Sequence, residues 1–256
     1  MTVRTDKHGD LLVITIDRPE VRNAIDHATA NALADAFRAF DADRQRSACV
    51  LTGAGGHFCA GADLKAVAAG RGNRVTLEGD GPLGPTRMTL SKPVIAAVEG
   101  YAVAGGLELA LWCDLRVAAR SAVFGVYNRR WGVPLVDGGT VRLPRLIGQS
   151  HAMDMILTGR GVGGEEARGI GLANRLTDDG EALHEAVRLA ETLTRFPQRC
   201  LRSDRRSVLT QWGKPIPDAL QQETLLGREV IKSGETIHGA TRFNEGAGRH
   251  GDFSDI

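Results

Sequence analysis

Residues 93–119 read PVIAAVEGYAVAGGLELALWCDLRVAA. Pro93 opens the apolar run PVIAAVE, which reads as a buried strand. GYAVAGG follows as a glycine-rich turn, LELALWC as a short helix and DLRVAA as the next strand. The unit is therefore strand, glycine turn, helix, strand, and it predicts an α/β core.

The same unit recurs upstream. ACVLTG (48–53) is a strand, the loop from Gly53 to Gly61 is its glycine turn, and ADLKAVAAG is helical. Earlier still, DLLVITID (10–17) reads as a buried strand closed by Pro19. His27 to Ala42 is a helix with Ala30, Leu33, Ala34, Phe37 and Phe40 on one face. Downstream, FGV (124–126) is a short strand. Residues 70–86, rich in Gly, Arg and Pro, predict a mobile loop. Beyond about residue 138 the strand signals stop, and helical patterns fill 140–195 and 216–243.

Composition narrows the function classes. The 256 residues are 42% hydrophobic and 25% charged, which suits a folded globular chain. With 32 Lys+Arg against 31 Asp+Glu, nothing electrostatic argues for nucleic acid. No apolar run reaches the roughly 18 residues of a membrane span, and MTVRTDKHGD has no secretory core. Cys49, Cys59, Cys113 and Cys200 form no CxxC pair, so neither a disulfide framework nor a metal site is expected. The expectation is a cytoplasmic protein. No G-x-S-x-G elbow or nicotinamide fingerprint is present. Glycine, at 32 residues, is the compositional outlier.

Two of the glycine loops share a design. Ala60-Gly61-Ala62-Asp63-Leu64 and Ala104-Gly105-Gly106-Leu107-Glu108 each run straight into a helix. A helix start exposes unpaired N–H groups and the positive end of the dipole. Two starts facing each other would supply two donors for one developing oxyanion. Read separately, each loop is also an ordinary tight turn.

The wording of the loops is more specific than their shape. GAGGHFCAGADLKA (53–66), residues 93–119, RPEVRNAID (18–26) and LTGRGVGGEEARGIGLANRL (157–176) together closely resemble the crotonase, or enoyl-CoA hydratase/isomerase, superfamily. The resemblance runs in order from about residue 10 to 200. It implies a crotonase-like (ClpP/crotonase) α/β spiral of repeated ββα units over residues 1–195. Residues 196–256 become a helical C-terminal region packing over the active site and a trimer interface. It further implies an acyl-CoA thioester as substrate, no separate cofactor, and a homotrimer or hexamer. The oxyanion donors fall on the amides of Ala62 and Gly105. CoA and substrate contacts fall on Arg22, Ala24, Ala60, Asp63, Leu64 and Gly106. Arg249, in the glycine-rich tail 238–253, is a further cation for CoA.

Hydratases of this family activate water with two glutamates. The first corresponds to Glu108, a carboxylate among Leu107, Leu109 and Ala110, where burial would raise its pKa and suit it to proton transfer. The second position carries Asn128, whose amide orients water but cannot exchange its proton. Asp137, in PLVDGGTVRLPRLIG, is either a substitute carboxylate or the N-cap of the following helix. Arg129, Arg130 and Trp131 are either surface contacts or a rim for a polar acyl group. The resemblance implies a hydratase, with a double-bond isomerase or a catalytically weakened CoA-binding relative as alternatives.

Overall fold

The computed structural model describes residues 2–251. Two strands open the chain: β1 (Val3–His8) and β2 (Leu11–Ile16). The first is absent from the sequence reading because only Val3 of its six side chains is buried, so no apolar run marks it. The chain continues through α1 (His27–Ala42), β3 (Ala48–Gly53), α2 (Leu64–Ala68), β4 (Val94–Val98), β5 (Tyr101–Val103) and α3 (Gly105–Trp112). Next come β6 (Leu115–Ala119), β7 (Val123–Gly125), α4 (Gly139–Thr158), β8 (Gly161–Gly163), α5 (Gly164–Gly169) and β9 (Arg175–Thr177). Helices α6 (Ala182–Arg195), α7 (Gln198–Thr210), α8 (Ile216–Lys232) and α9 (Glu235–Asn244) follow.

The strands build two sheets. The larger has the order β1-β2-β3-β4-β6-β9, parallel except for β1, and the smaller has the order β5-β7-β8. Strands β8 and β9 correct the expectation that strands end near residue 138. Each has three residues, too few to show a period. Within the large sheet the side chains divide by parity, as the pleat requires. Leu12, Ile14, Ile16, Cys49, Leu51, Ala96 and Val98 join the core that includes Phe37 and Phe40 of α1. Leu11, Val13, Ala48, Val50, Ile95, Ala97 and Val117 face Ala182, Ala186 and Ala190 of α6. Those alanines recur every four residues, so one small-residue stripe seats the helix close to the sheet.

The small sheet sets the glycine loops beside one another. A parallel bridge aligns Cys59 with Ala102, and β5 pairs parallel with β7. Immediately after each of these three segments the chain turns into a helix start: α2, α3 and a 3-10 turn at Tyr127–Trp131. The glycine loops of the sequence thus come side by side, each one step along the spiral.

The expected mobile loop at 70–86 is only partly loose. Its second half is buried, with Leu83 and Thr86 each 1% exposed. A polar, glycine-rich composition hid the fact that these residues fill a gap beside α1, where a Cβ on Gly84 would lie 2.4 Å from the Ala30 carbonyl. The end of the glycine-rich tail, residues 252–253, lies outside the described residues.

Candidate active site

Two main-chain amides define the site. Ile25 N donates to Gly61 O, and Asp63 N donates to Ile25 O, so this isolated parallel bridge passes over Ala62 and leaves its amide unused. Gly105 is the first residue of α3, whose first helical bond is Glu108 N to Ala104 O at 3.3 Å. The Gly105 amide is therefore an orphan of the helix start, with no side-chain cap. The two loops touch: a Cβ on Gly61 would stand 2.8 Å from Gly105 N, and one on Gly106 would stand 2.0 Å from Cys59 O. Glycine at 61 and 106 is what allows this approach. Ala104 has φ 54° and ψ −125°, a conformation unfavourable for an L side chain, held by Ala104 N donating to Gly125 O at 2.8 Å. The strained peptide is the one that carries the Gly105 amide.

Glu108 lies one turn into α3 and is 2% exposed. Burial pushes its carboxyl up to about 7, against the opposing pull of backbone donors. Its Oε1 accepts from Asp137 N at 2.9 Å and Gly139 N at 2.8 Å. A group with that affinity for protons both takes and returns one near neutral pH.

Asp137 is brought to Glu108, though not as an N-cap. The residue preceding α4 is Gly138, and that helix has no side-chain cap. The Asp137 carboxylate turns the other way, its Oδ1 accepting from Leu83 N at 3.0 Å and from the Thr86 hydroxyl. Desolvation raises its pKa. Arg142, from α4, donates to Asp137 O at 2.8 Å and to Thr86 O at 2.6 Å. Leu83, Thr86 and Arg142 escaped sequence reasoning. Leu83 and Thr86 sit in a segment that reads as loop, and Arg142 looks like any helix arginine.

Asn128 is buried in the 3-10 turn, where its Nδ2 donates to Val133 O at 2.7 Å. Its Oδ1 is buried without a hydrogen-bond partner. The free functional atom of this residue is therefore an acceptor. Arg129 and Arg130 bond the carbonyls of Ile156 and Gly159, and Arg130 lies over the Tyr127 ring. With Trp131 71% exposed, this cluster is a surface tie to the end of α4.

The remaining predicted contacts gather near the first glycine loop. Arg22 is exposed and sits 5.4 Å from the Tyr101 ring centroid. Ala24 is buried, its carbonyl bonded by Arg18, while Ala60 N donates to Arg22 O. Asp63 caps α2 through Lys65 N and Ala66 N and pairs with Arg18 at 3.2 Å. Leu64 is exposed. Beside Asp63 opens a cavity of about 720 Å³, whose lining includes Arg18, His27, Lys65, Arg71 and Arg74. Arg249 bonds Asn244 O at the far end of the chain.

The profile of the enoyl-CoA hydratase/isomerase family matches residues 6–253. Among curated proteins, the chain is 36% identical over 247 residues to enoyl-CoA hydratase EchA19 of Mycobacterium tuberculosis, covering 94% of this chain and 92% of that protein. It is 35% identical over 245 residues to the carnitinyl-CoA dehydratase of Escherichia coli K12, covering 93% and 94%. Among solved structures, enoyl-CoA hydratase EchA1 of Mycobacterium marinum superposes with a TM-score of 0.90 at 40% identity, covering 95% of this chain and 96% of that one.

Proposed function

This chain belongs to the enoyl-CoA hydratase/isomerase family, and on that premise we propose that it adds water reversibly across the double bond of a 2-enoyl-CoA. The observation that carries the reading is Glu108: one buried carboxyl, poised near 7, at the second of two abutting loops with unused amides. The amides of Ala62 and Gly105 hold the thioester oxygen and favour the enolate over the ground-state carbonyl.

Ionised Glu108 takes a proton from water as the water oxygen bonds to the β-carbon. The π electrons move to the thioester oxygen. Glu108 then returns the proton to the α-carbon as the enolate collapses, so atoms and charge balance. Asn128 is assigned to orient the attacking water on the family resemblance, through Oδ1, which has no hydrogen-bond partner among the described residues. The cavity beside Asp63, with Arg18, Lys65, Arg71 and Arg74 in its lining, suits the phosphates of CoA, and Arg22, Ala24, Ala60, Leu64 and Gly106 are assigned as CoA contacts on the family resemblance alone. No further cofactor is needed for this chemistry.

The test is to follow loss of enoyl-thioester absorbance with crotonyl-CoA. A flat trace at substrate-saturating concentration removes the hydratase reading. A second reading, double-bond isomerisation, is favoured by Asn128 standing where a second carboxyl would, because moving one proton between carbons needs one carrier. Conversion of a 3-enoyl-CoA without hydration would select it. Acyl-CoA binding with neither reaction would leave a CoA-binding role.

We also read the chain as a cytoplasmic homotrimer or hexamer. Leu220, Leu225, Ile231, Ile237 and Phe243 on α8 and α9 are each more than half exposed, apolar surface that another copy could cover. Light scattering at micromolar concentration checks the assembly.

A further inference from the structure

Glu108 and Asp137 are two buried carboxylates that do not bond to each other through their side chains. Glu108 Oε1 takes the amides of Asp137 and Gly139, whereas Asp137 Oδ1 takes Leu83 N and the Thr86 hydroxyl. Arg142 clamps the same assembly, with one guanidinium nitrogen on Asp137 O and another on Thr86 O. Three segments distant in sequence are thus tied at one point: the buried loop around 83–86, Glu108 of α3, and the 137–142 stretch that opens α4.

The arrangement has a direction. The Asp137 side chain and Arg142 hold the turn against the 83–86 loop, and the turn then presents two N–H groups to Glu108. The contacts also reach the oxyanion loop, because a Cβ on Gly105 would stand 2.4 Å from Leu83 Cδ1. We propose that Asp137 and Arg142 are positioning residues that lock the 137–139 turn onto Glu108 Oε1, leaving Oε2 as the oxygen that exchanges the proton. The proposal rests on Glu108 being the acid/base of the hydratase reading. It replaces Asp137 as a substrate-contacting carboxylate and adds Arg142 to the site.

The electrostatics agree with the geometry. The nearby charge of Asp137 raises the Glu108 pKa, and the backbone N–H groups of Asp137, Gly139 and Val136 lower it. Arg142 faces both Glu108 and Asp137 and is itself faced by Cys113 and Arg145. Arg87 faces Asp137 from the 83–88 segment, and Cys59 lies within reach of the same charge. Asp137→Asn keeps an acceptor for Leu83 N and Thr86 while removing the anion, so it should lower the Glu108 midpoint. Arg142→Met removes a cation and frees the turn, and both effects raise it.

The experiment reads Glu108 directly, without substrate. Full-length protein carrying carboxyl-13C glutamate is titrated by NMR, with the Glu108 resonance assigned by its loss in Glu108→Gln. The wild-type midpoint should lie near 7. It should fall by about half a pH unit or more in Asp137→Asn and rise by a similar amount in Arg142→Met, with Arg142→Lys between. With crotonyl-CoA, kcat should drop about tenfold or more in Arg142→Met while KM changes by less than about threefold. A reduced Tm with unmoved midpoints in all three variants would overturn the proposal and leave a merely structural role. If Arg142→Met does not fold, Arg142→Lys decides: it keeps the cation but not the paired bonds to Asp137 O and Thr86 O, so an unmoved midpoint there overturns the proposal. If wild type hydrates nothing yet the midpoints move as stated, the positioning role stands and the hydratase reading fails.

Discussion

The amide of Gly139 donates to Oε1 of Glu108 at 2.8 Å, across 31 positions of sequence. The contact is so close that a Cβ at 139 would stand 2.9 Å from Glu108 Cγ. It joins the first turn of α3 to the first turn of α4 and fixes one oxygen of a buried carboxyl. The other oxygen takes neither of the two amide bonds. This asymmetry is the basis for treating Glu108 as a one-proton carrier.

Glu108→Gln should therefore lose about 10²–10⁴-fold in hydration rate while still binding acyl-CoA. In wild type, kcat/KM should rise with pH through about 7, because the ionised carboxylate takes the first proton. Steady-state kinetics from pH 5.5 to 8.5 check both points. Unchanged turnover in the Gln variant would remove Glu108 from the reaction.

The same carboxyl predicts a pH-dependent stability. Its folded value, about 7, lies above the ordinary 4.5. Below about 4.5 both folded and unfolded chains hold the proton, and the favourable contribution is complete. As pH rises the unfolded chain ionises first, so stability falls through this window and the contribution is lost once pH passes about 7. Gln cannot ionise, so between pH 5 and 8 Glu108→Gln should gain about 1–3 kcal/mol relative to wild type. Denaturant melts at the two pH values measure the difference.

Ala104→Gly tests the strained peptide. Glycine adopts φ 54°, ψ −125° without penalty. The variant should be more stable by about 1 kcal/mol, after allowing for the greater freedom of its unfolded chain. The Gly105 amide would then be less firmly aimed, and kcat should fall several-fold with KM little changed. Paired Tm and kinetic measurements separate the two effects.

Gly106→Ala should be far more damaging. Its Cβ would stand 2.0 Å from Cys59 O, a backbone atom with no room to yield. Loss of several kcal/mol, seen as a large fall in Tm or as insoluble protein, is expected because the two glycine loops must separate. Gly163→Ala, with nothing within 4 Å of the added carbon, is the control.

Asn128→Asp asks what the amide does. The variant loses the Nδ2 donor to Val133 O and sets a carboxylate against that carbonyl. A cost of about 1–3 kcal/mol and reduced hydration are expected. A gain in turnover would instead show that a second carboxyl was the limiting element.

Sequence alone determined the elements whose signal is local. The strand 48–53 and the helix 27–42 emerge where the apolar pattern places them, because continuous apolar runs and a repeated helical face leave little choice of burial. The three-residue strands β5, β8 and β9, and β1, have no such signal and appear only when a neighbouring strand pairs with them. The residues of the site divide in the same way. The candidates Glu108 and the glycines at 61, 105 and 106 stand out in the sequence, the glycines because a main-chain site needs small residues at fixed places, and Glu108 through the family resemblance. The true direction of the Asp137 carboxylate, the surface ties of Arg129 and Arg130, and the parts played by Leu83, Thr86 and Arg142 were decided by tertiary structure. Each depends on a hydrogen bond between segments tens of residues apart, and such a bond leaves no trace in the spacing of either segment.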